Sequence, residues 1–238
     1  MYKSVLLLFL LLSGAAVGVQ AIEINIGSGN TVHTGEIVGL DNVVMRGNGI
    51  LKEEKRNIRT VNKIDVEGVF VVELVYGDPS LSVVCEANLL EQVGTSIEKD
   101  VLRIYPKSSF STRQPVNIRI SLPDIKSLAI SGSSEFVMRF SEKRLEQLSV
   151  DLKDASTIEI FGEVGILYLH VQDSAEFHGY SFRSQTAQVD ASGSADAEVF
   201  VSSQLSGTST DASSVKYLGN PQSIAIQETE VGEFVVGE

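Results

Sequence analysis

The chain has few of the residues that build disulfide frameworks and metal sites. Its 238 residues include one cysteine, three histidines and no tryptophan. The single cysteine cannot form an intramolecular disulfide, so core packing and backbone hydrogen bonds must hold the fold together. In the alternating segment Leu81, Val83, Cys85, the cysteine falls on the apolar face of a predicted strand. We therefore expect a buried thiol rather than a reactive one.

Basic residues are also scarce. The chain has 19 lysines and arginines against 31 aspartates and glutamates, a formal net charge of −12. Phosphate groups are bound by clustered lysine and arginine side chains, and this composition offers few of them. We therefore expect neither a nucleic acid nor an anionic membrane surface as a partner.

Long hydrophobic runs are absent except at the N-terminus, which has the pattern of a secretory signal peptide. Lys3 precedes an apolar run over residues 5–12, and Val19-Gln20-Ala21 has small residues at the two positions that a signal peptidase reads. We expect residues 1–21 to be removed by cleavage after Ala21, which leaves no membrane span. An uncleaved N-terminal anchor is the alternative. The expected localisation is export to the periplasm, the outer cell surface or the extracellular space.

Short segments of small turn residues recur in the second half of the chain. Counted from the first residue of one segment to the first residue of the next, the first spacing is 23 residues and the next three are 19 residues each. The five segments are Ser131-Gly132-Ser133, Asp154-Ala155-Ser156, Asp173-Ser174-Ala175, Ser192-Gly193-Ser194 and Asp211-Ala212-Ser213. A repeat of about 20 residues built from tiny turn residues and β-formers is typical of a solenoid whose coils stack their strands.

The rest of the chain also indicates strands. Alternating patterns with Gly, Pro and Asp breaks run through the first half. Segments 87–93 and 142–148 could each form a helical turn but are too short for a typical helix. We predict an all-β fold, a right-handed β-helix or β-solenoid with short strands and small-residue turns, thinner in its late coils. The expected boundaries are a lead at 22–46, the solenoid domain at 47–226 (with sub-units at about 47–125 and 126–226), last strands at 215–226 and an acidic tail at 227–238.

Three segments carry a resemblance to a known family. Gly47-Asn48-Gly49 precedes a charged run, residues 66–78 are VEGVFVVELVYGD, and residues 128–134 are LAISGSS. In this order they resemble the bacterial family called "putative auto-transporter adhesin, head GIN domain" (DUF2807), over roughly residues 47–225. The resemblance implies an envelope protein with a β-helix-like fold that acts as an adhesin or as another binding or structural module. It implies no catalytic residue and no cofactor.

The aspartates of the repeat turns are the sharpest local pattern. Asp154 and Asp173 are equivalent on consecutive coils, and Asp211 recurs two coils later, with Ser192 between. Carboxylates about 5 Å apart repel one another, and a ladder of calcium ions would offset this repulsion. Alternatively, each aspartate caps its own turn by accepting a nearby backbone N–H. We favour turn capping, and the calcium ladder is the alternative.

The three histidines, His33, His170 and His178, do not form a metal motif. His170 and His178 lie eight residues apart across a predicted turn, and a zinc site needs a tighter ligand set. His170 lies between Leu169 and Val171 in an alternating strand. We expect it to face solvent, and we expect no metal.

A carbohydrate-active enzyme on a β-helix, either a polysaccharide lyase or a hydrolase, is the alternative function. Glycoside hydrolysis would need two carboxylates at a set separation, and the candidates are Asp151, Glu159, Asp190 and Glu198. After residue 150 the basic and tyrosine side chains that could assist are Lys153, Arg183, Lys216, Tyr168, Tyr180 and Tyr217. No nucleophile motif or phosphate-binding glycine loop is present. We therefore expect a non-catalytic protein that binds an envelope glycan or a protein. The sequence also allows a homo-oligomer.

Overall fold

The structure is a computed structural model that describes residues 44–229 and 231–237. The predicted signal peptide with its cleavage site at Ala21, most of the lead at 22–46 and His33 lie outside the described residues. No helix in the described part of the chain is long and apolar enough to cross a membrane.

Strands make up most of the described chain, as the alternating patterns predict. They are short in the first half and long in the repeat half, where single strands continue around a corner. In chain order the strands are β1 (Met45–Arg46), β2 (Leu51–Arg56), β3 (Lys63–Gly68), β4 (Val71–Tyr76), β5 (Ser80–Glu86), β6 (Val93–Glu98), β7 (Val101–Pro106), β8 (Phe110–Ser111), β9 (Asn117–Leu122), β10 (Ser127–Gly132), β11 (Glu135–Leu152), β12 (Thr157–Val171), β13 (Glu176–Ala191), β14 (Asp196–Ser209), β15 (Ser214–Gly219), β16 (Ser223–Glu228) and β17 (Glu233–Val236).

The two segments that could form helical turns have different outcomes. Segment 87–93 contains a 3-10 turn at Leu90–Gln92. Segment 142–148 is extended and lies inside β11, because Leu145 and Leu148 are buried in the core and the strand pairs with β12. The all-β prediction is confirmed for the part of the chain that the structure describes.

The solenoid consists of two columns of stacked strands. Sheet I comprises β6, β7, β3, β10, the second halves of β11 to β14, and β16. Sheet II comprises β2, β5, β9, β4, the first halves of β11 to β14, β15 and β17. From β7 and β9 onward every pairing within the two columns is parallel. Each coil therefore runs through sheet I, a tight turn, sheet II and a corner, as the repeat predicts.

The N-terminal end of the solenoid is closed by strands of opposite direction. In sheet I, β6 pairs antiparallel with β7. In sheet II, β5 pairs antiparallel with β9, and β2 pairs antiparallel with β5. This antiparallel layer covers the first parallel coil.

The core lies between the two sheets and is filled by alternate residues of each strand. Phe136, Phe177 and Phe182 are among its largest fully buried side chains. Cys85 is also fully buried, as predicted, and burial raises the pKa of its thiol. In the late coils alanines take core positions, at Ala187, Ala191, Ala195 and Ala197. The late coils thus have smaller core side chains than the earlier ones, and their thinness stays a prediction.

The tight turns between the sheets share one backbone conformation. Gly132, Asp154, Asp173, Gly193 and Asp211 all have φ between +59° and +87°. The residue after each of the last four donates its N–H to the carbonyl of the equivalent residue in the preceding coil, at 2.6–2.9 Å. The turns are therefore rungs of the same hydrogen-bond ladder as the strands.

The C-terminal segment differs from the expected acidic tail. The last strands were expected at 215–226, but β17 (Glu233–Val236) follows them and pairs in parallel with β15. Phe234 explains the difference, because its side chain stacks in register on Val215 and is only 8% exposed. The alternating apolar residues Phe234 and Val236 within this acidic segment thus form a further strand on the solenoid.

Candidate functional site

The aspartates of the turns are hydrogen-bonded between coils. Asp154 Oδ2 accepts the backbone N–H of Gly132 at 2.8 Å, and Asp211 Oδ2 accepts that of Gly193 at 3.0 Å. Asp173 Oδ2 accepts the N–H of Asp154 at 3.3 Å. The carboxylates thus bind backbone N–H groups, but each of these donors belongs to the preceding coil rather than to the aspartate's own turn.

The register of the turns corrects one sequence assignment. Gly193, not Ser192, occupies the position between Asp173 and Asp211, and Gly132 occupies the same position in the first turn. The reason is conformational, because this position requires a positive φ that glycine and aspartate adopt more readily than serine. The third residue of each turn faces the core and is buried, namely Ser134, Ser156, Ala175, Ala195 and Ser213.

We expect Asp154→Asn to leave the stability of the fold nearly unchanged, because an asparagine Oδ1 can accept the Gly132 N–H as the carboxylate does. Neither the wild type nor the variant should melt at a different temperature when calcium is added or chelated, as measured by circular dichroism. Asp154→Ala, which removes the acceptor and places alanine at a positive φ, should cost about 1–3 kcal/mol. A calcium-dependent rise in Tm that is lost in Asp154→Asn would instead support the calcium ladder.

The outer face of sheet I brings several of the candidate residues together. Strand register places Asp151, His170 and Asp190 in one column on consecutive strands. His170 Nδ1 lies 3.7 Å from Asp190 Oδ2. In the next column Tyr168 lies between Ser149 and Gln188 and is 37% exposed.

Asp190 holds this group in position. Its Oδ1 accepts the backbone N–H of Thr208 at 3.1 Å and the Thr208 hydroxyl at 2.8 Å. Its Oδ2 accepts the Gln188 amide at 3.1 Å. Asp190 thus fixes Gln188 and faces the ring of His170, while Tyr168 remains exposed beside them.

The outer face of sheet II carries a second, more charged group. His178 lies between two carboxylates, with Nε2 3.3 Å from Glu176 and Nδ1 3.3 Å from Glu198. Register places Glu159 and Lys216 on the same column. Burial, together with the charge of Glu198, raises the pKa of Tyr180.

The candidates are therefore divided between two faces. Asp151 and Asp190 lie on sheet I, whereas Glu159 and Glu198 lie on sheet II. His170 and His178 are separated in the same way, and both are partly exposed, with 41% and 43% of the side chain accessible. Among the described residues no group of three or more His, Cys, Asp or Glu side chains could hold a metal ion.

The basic and aromatic candidates do not join the sheet I group. Tyr217 is on β15 of sheet II, Lys153 lies in an exposed turn, and Arg183 stacks over the ring of Phe200 at 5.4 Å. Because these residues lie away from the outer face of sheet I, Tyr168 is the candidate tyrosine beside the carboxylates of that face.

A buried carboxylate that the sequence did not single out holds the N-terminal layer together. Glu86 is fully buried and accepts the backbone N–H groups of Gly49 (2.5 Å) and Arg113 (2.9 Å) and the Thr112 hydroxyl (2.7 Å). These hydrogen bonds, the one from Arg113 first, lower the pKa of Glu86. A Cβ on Gly47 would lie 1.8 Å from the carboxylate, which explains the glycine of Gly47-Asn48-Gly49.

Two shallow clefts flank Arg56 in the same layer. Their volumes are about 310 Å³ and 420 Å³. Arg56 itself has a structural role, because its guanidinium donates hydrogen bonds to the Glu54 carboxylate and to the carbonyls of Val93 and Leu90. Charged and polar side chains line most of both clefts, among them Glu53, Lys55, Arg119, Glu91 and Lys107.

Comparison with known proteins agrees with this architecture. A crystal structure of a "putative adhesin" from Bacteroides fragilis is similar, with a TM-score of 0.68 and 15% identity over 80% of this chain and 99% of that chain. A "putative lipid binding protein" from Parabacteroides distasonis has a TM-score of 0.52 and 19% identity over 82% of this chain and 99% of that one. At such identities the likeness shows the fold alone. No curated protein matches the chain.

The family follows from a direct match to the sequence. The family model described as "Putative auto-transporter adhesin, head GIN domain" matches residues 60–221, more than half of the 238-residue chain. The match confirms the resemblance carried by the strand and turn segments. The chain therefore belongs to this family, DUF2807.

Proposed function

We propose that the protein is an exported, non-catalytic binding module of the bacterial cell envelope, and that the outer face of sheet I binds a neutral glycan. Membership of a family named for adhesins supports a binding role. The signal-peptide pattern that ends at Ala21 supports export to the periplasm, the cell surface or beyond.

The arrangement around Tyr168 carries the proposal. A sugar ring presents an apolar face and a rim of hydroxyl groups. The exposed ring of Tyr168 offers a flat apolar surface with a polar tip. Beside it, Asp151, His170 and Gln188 offer hydrogen-bond acceptors and donors on rungs about 4.8 Å apart. A regular, rigid face of this kind fits a repeating chain of sugars.

The charge of the protein narrows the class of glycan. With a formal net charge of −12 the protein repels polyanions at a distance. The carboxylates of Asp151 and Asp190 accept hydrogen bonds from uncharged hydroxyl groups. A neutral glycan meets both conditions, whereas an acidic one is repelled by the net negative charge of the protein.

The same geometry favours binding over cleavage. Asp151 and Asp190 are two rungs apart, about 10 Å along the column, with His170 on the strand between them. Paired glycosidase carboxylates lie about 5 to 9.5 Å apart, and in the inverting type an attacking water needs the space between them. Here His170 lies on the strand between the two aspartates, with its Nδ1 3.7 Å from Asp190 Oδ2.

Lipid binding has less support from the described residues. A lipid chain needs an enclosed apolar cavity, whereas the two clefts beside Arg56 are open to solvent and lined mostly by charged and polar residues. The name of the Parabacteroides neighbour therefore adds nothing to the proposal.

A glycan panel probed with the mature chain, from Ile22 onward, tests the proposal when retention and cleavage are scored separately. We expect retention of a neutral glycan without cleavage. Tyr168→Ala should weaken it about tenfold, as loss of an aromatic anchor typically does. Phe161→Ala, which removes a ring from the outer face of sheet II, is the matched control and should bind as the wild type does.

Two results would contradict the proposal. Equal retention by Tyr168→Ala and Phe161→Ala would place the ligand elsewhere. Cleavage that disappears in Asp151→Asn or Asp190→Asn would favour the carbohydrate-active enzyme.

A further inference from the structure

The two ends of the solenoid are built differently. The antiparallel strands β2, β5 and β6 close the N-terminal end. At the C-terminal end, β16 pairs with β14 and β17 pairs with β15. Within residues 44–229 and 231–237 no strand pairs with the outer edge of β16 or β17. This end therefore presents unpaired backbone N–H and C=O groups.

The core is also open at this end. Ile224 stacks in register on Leu205, which is 1% exposed, yet Ile224 itself is 46% exposed. Val236, on the same side of β17 as Phe234, is 67% exposed. These side chains belong to the last core layer, and no further layer in the described chain covers them. Solenoids need capped ends with a polar outer face to remain soluble, and residues 44–229 and 231–237 provide no such cap at this end.

The edge strands at the two ends differ in charge. Five of the six residues of β2 are charged, from Lys52 to Arg56. Lysine and other charges on an edge strand prevent pairing with another chain. β16 and β17 contain no lysine, arginine or proline. Their charged residues are Glu228 and Glu233 alone, so these two strands carry less of this protection than β2 does.

We propose that the C-terminal end of the solenoid, formed by β16 and β17, docks against the same end of a second copy of this chain. The partner must itself offer unpaired strand edges and an open apolar layer, and a second C-terminal end offers both. Head-to-tail stacking is disfavoured because it would set β17 against the edge strand β2, whose charged side chains oppose pairing with another chain. The contact is therefore self-complementary, with two-fold symmetry, and produces a closed dimer rather than a filament.

The mass of the mature chain in solution, measured by sedimentation over a range of micromolar concentrations, tests this proposal. We expect the wild type to sediment as a dimer. Ile224→Lys and Val236→Lys each place a cation in the uncovered layer, and both variants should sediment as monomers at the same concentrations. Val69→Lys is the matched control, because Val69 is 70% exposed in the turn between β3 and β4, and it should remain dimeric.

The outcomes are separable. Circular dichroism and Tm show whether each lysine variant is folded, and since Val236 is already 67% exposed, its replacement should be tolerated. A wild type that stays monomeric throughout would overturn the proposal, as would a dimer that survives both end substitutions. Masses that grow beyond two copies with concentration would overturn the closed, two-fold contact. Glycan retention by Tyr168 is read independently, so failure of one proposal leaves the other standing.

Discussion

Gly207→Ala should destabilise the fold by about 3 kcal/mol or more, since it combines backbone strain with a clash between coils. Gly207 has a φ of +147°, a region that side-chain-bearing residues rarely adopt. A Cβ there would lie 1.8 Å from the carbonyl oxygen of Val189 on the neighbouring rung. Because that atom is backbone in a parallel ladder, it cannot move without breaking the register of two strands.

Gly49→Ala is the matched control for this prediction. Gly49 also has a positive φ, +79°, but the nearest heavy atom to its Cβ would be Arg113 Nη1, 3.9 Å away. Only the backbone strain remains, about 1 kcal/mol. Urea denaturation of both variants measures the difference. Equal losses would mean that the coils are not packed as tightly against one another as the structure shows.

Phe177→Ala should have the other large effect, a loss of about 3–5 kcal/mol. Phe177 is 1% exposed and lies in a middle coil, with a coil on each side, so the cavity cannot collapse easily. Thermal or urea denaturation reports the loss directly. The variant tests whether the core continues without interruption through the repeat half.

Phe161→Ala removes the same side chain from the opposite face. Phe161 lies on the outer surface of sheet II, where Arg139 stacks over its ring at 4.4 Å. Its removal forfeits only a partly exposed cation–π contact, so we expect a loss of about 1 kcal/mol or less. If both phenylalanine variants lost similar stability, the assignment of inward and outward faces would be wrong.

Architecture was predictable because the repeat is local. The spacing of about 20 residues and the small turn residues are visible in the chain, and they led to a β-solenoid that the structure confirms. Segment 142–148 has the composition of a helical turn, but burial of Leu145 and Leu148 between neighbouring coils makes it extended. The conformation of such a segment depends on its pairing with strands that are distant in sequence. A short local pattern contains no information about that pairing.

Register and site geometry depend on longer-range effects. Alignment of the turn segments by sequence places Ser192 between Asp173 and Asp211, whereas the positive φ that this position requires selects Gly193. The buried role of Glu86 depends on donors 26 to 37 residues away along the chain. The sequence contains one signal of it, the glycine at Gly47, whose missing side chain makes room for the carboxylate.

The stacked parallel coils also determine how the protein responds to mechanical load. Hydrogen bonds between coils run along the solenoid axis, and each coil pairs only with its two neighbours. A pull along that axis, applied through the chain, therefore strains the bonds of one terminal coil at a time. Each coil that peels away would release about 20 residues, roughly 65 Å of extended chain. We expect extension in a series of small steps instead of a single rupture, so that a tether made of this domain would lengthen under force while its remaining coils stay folded.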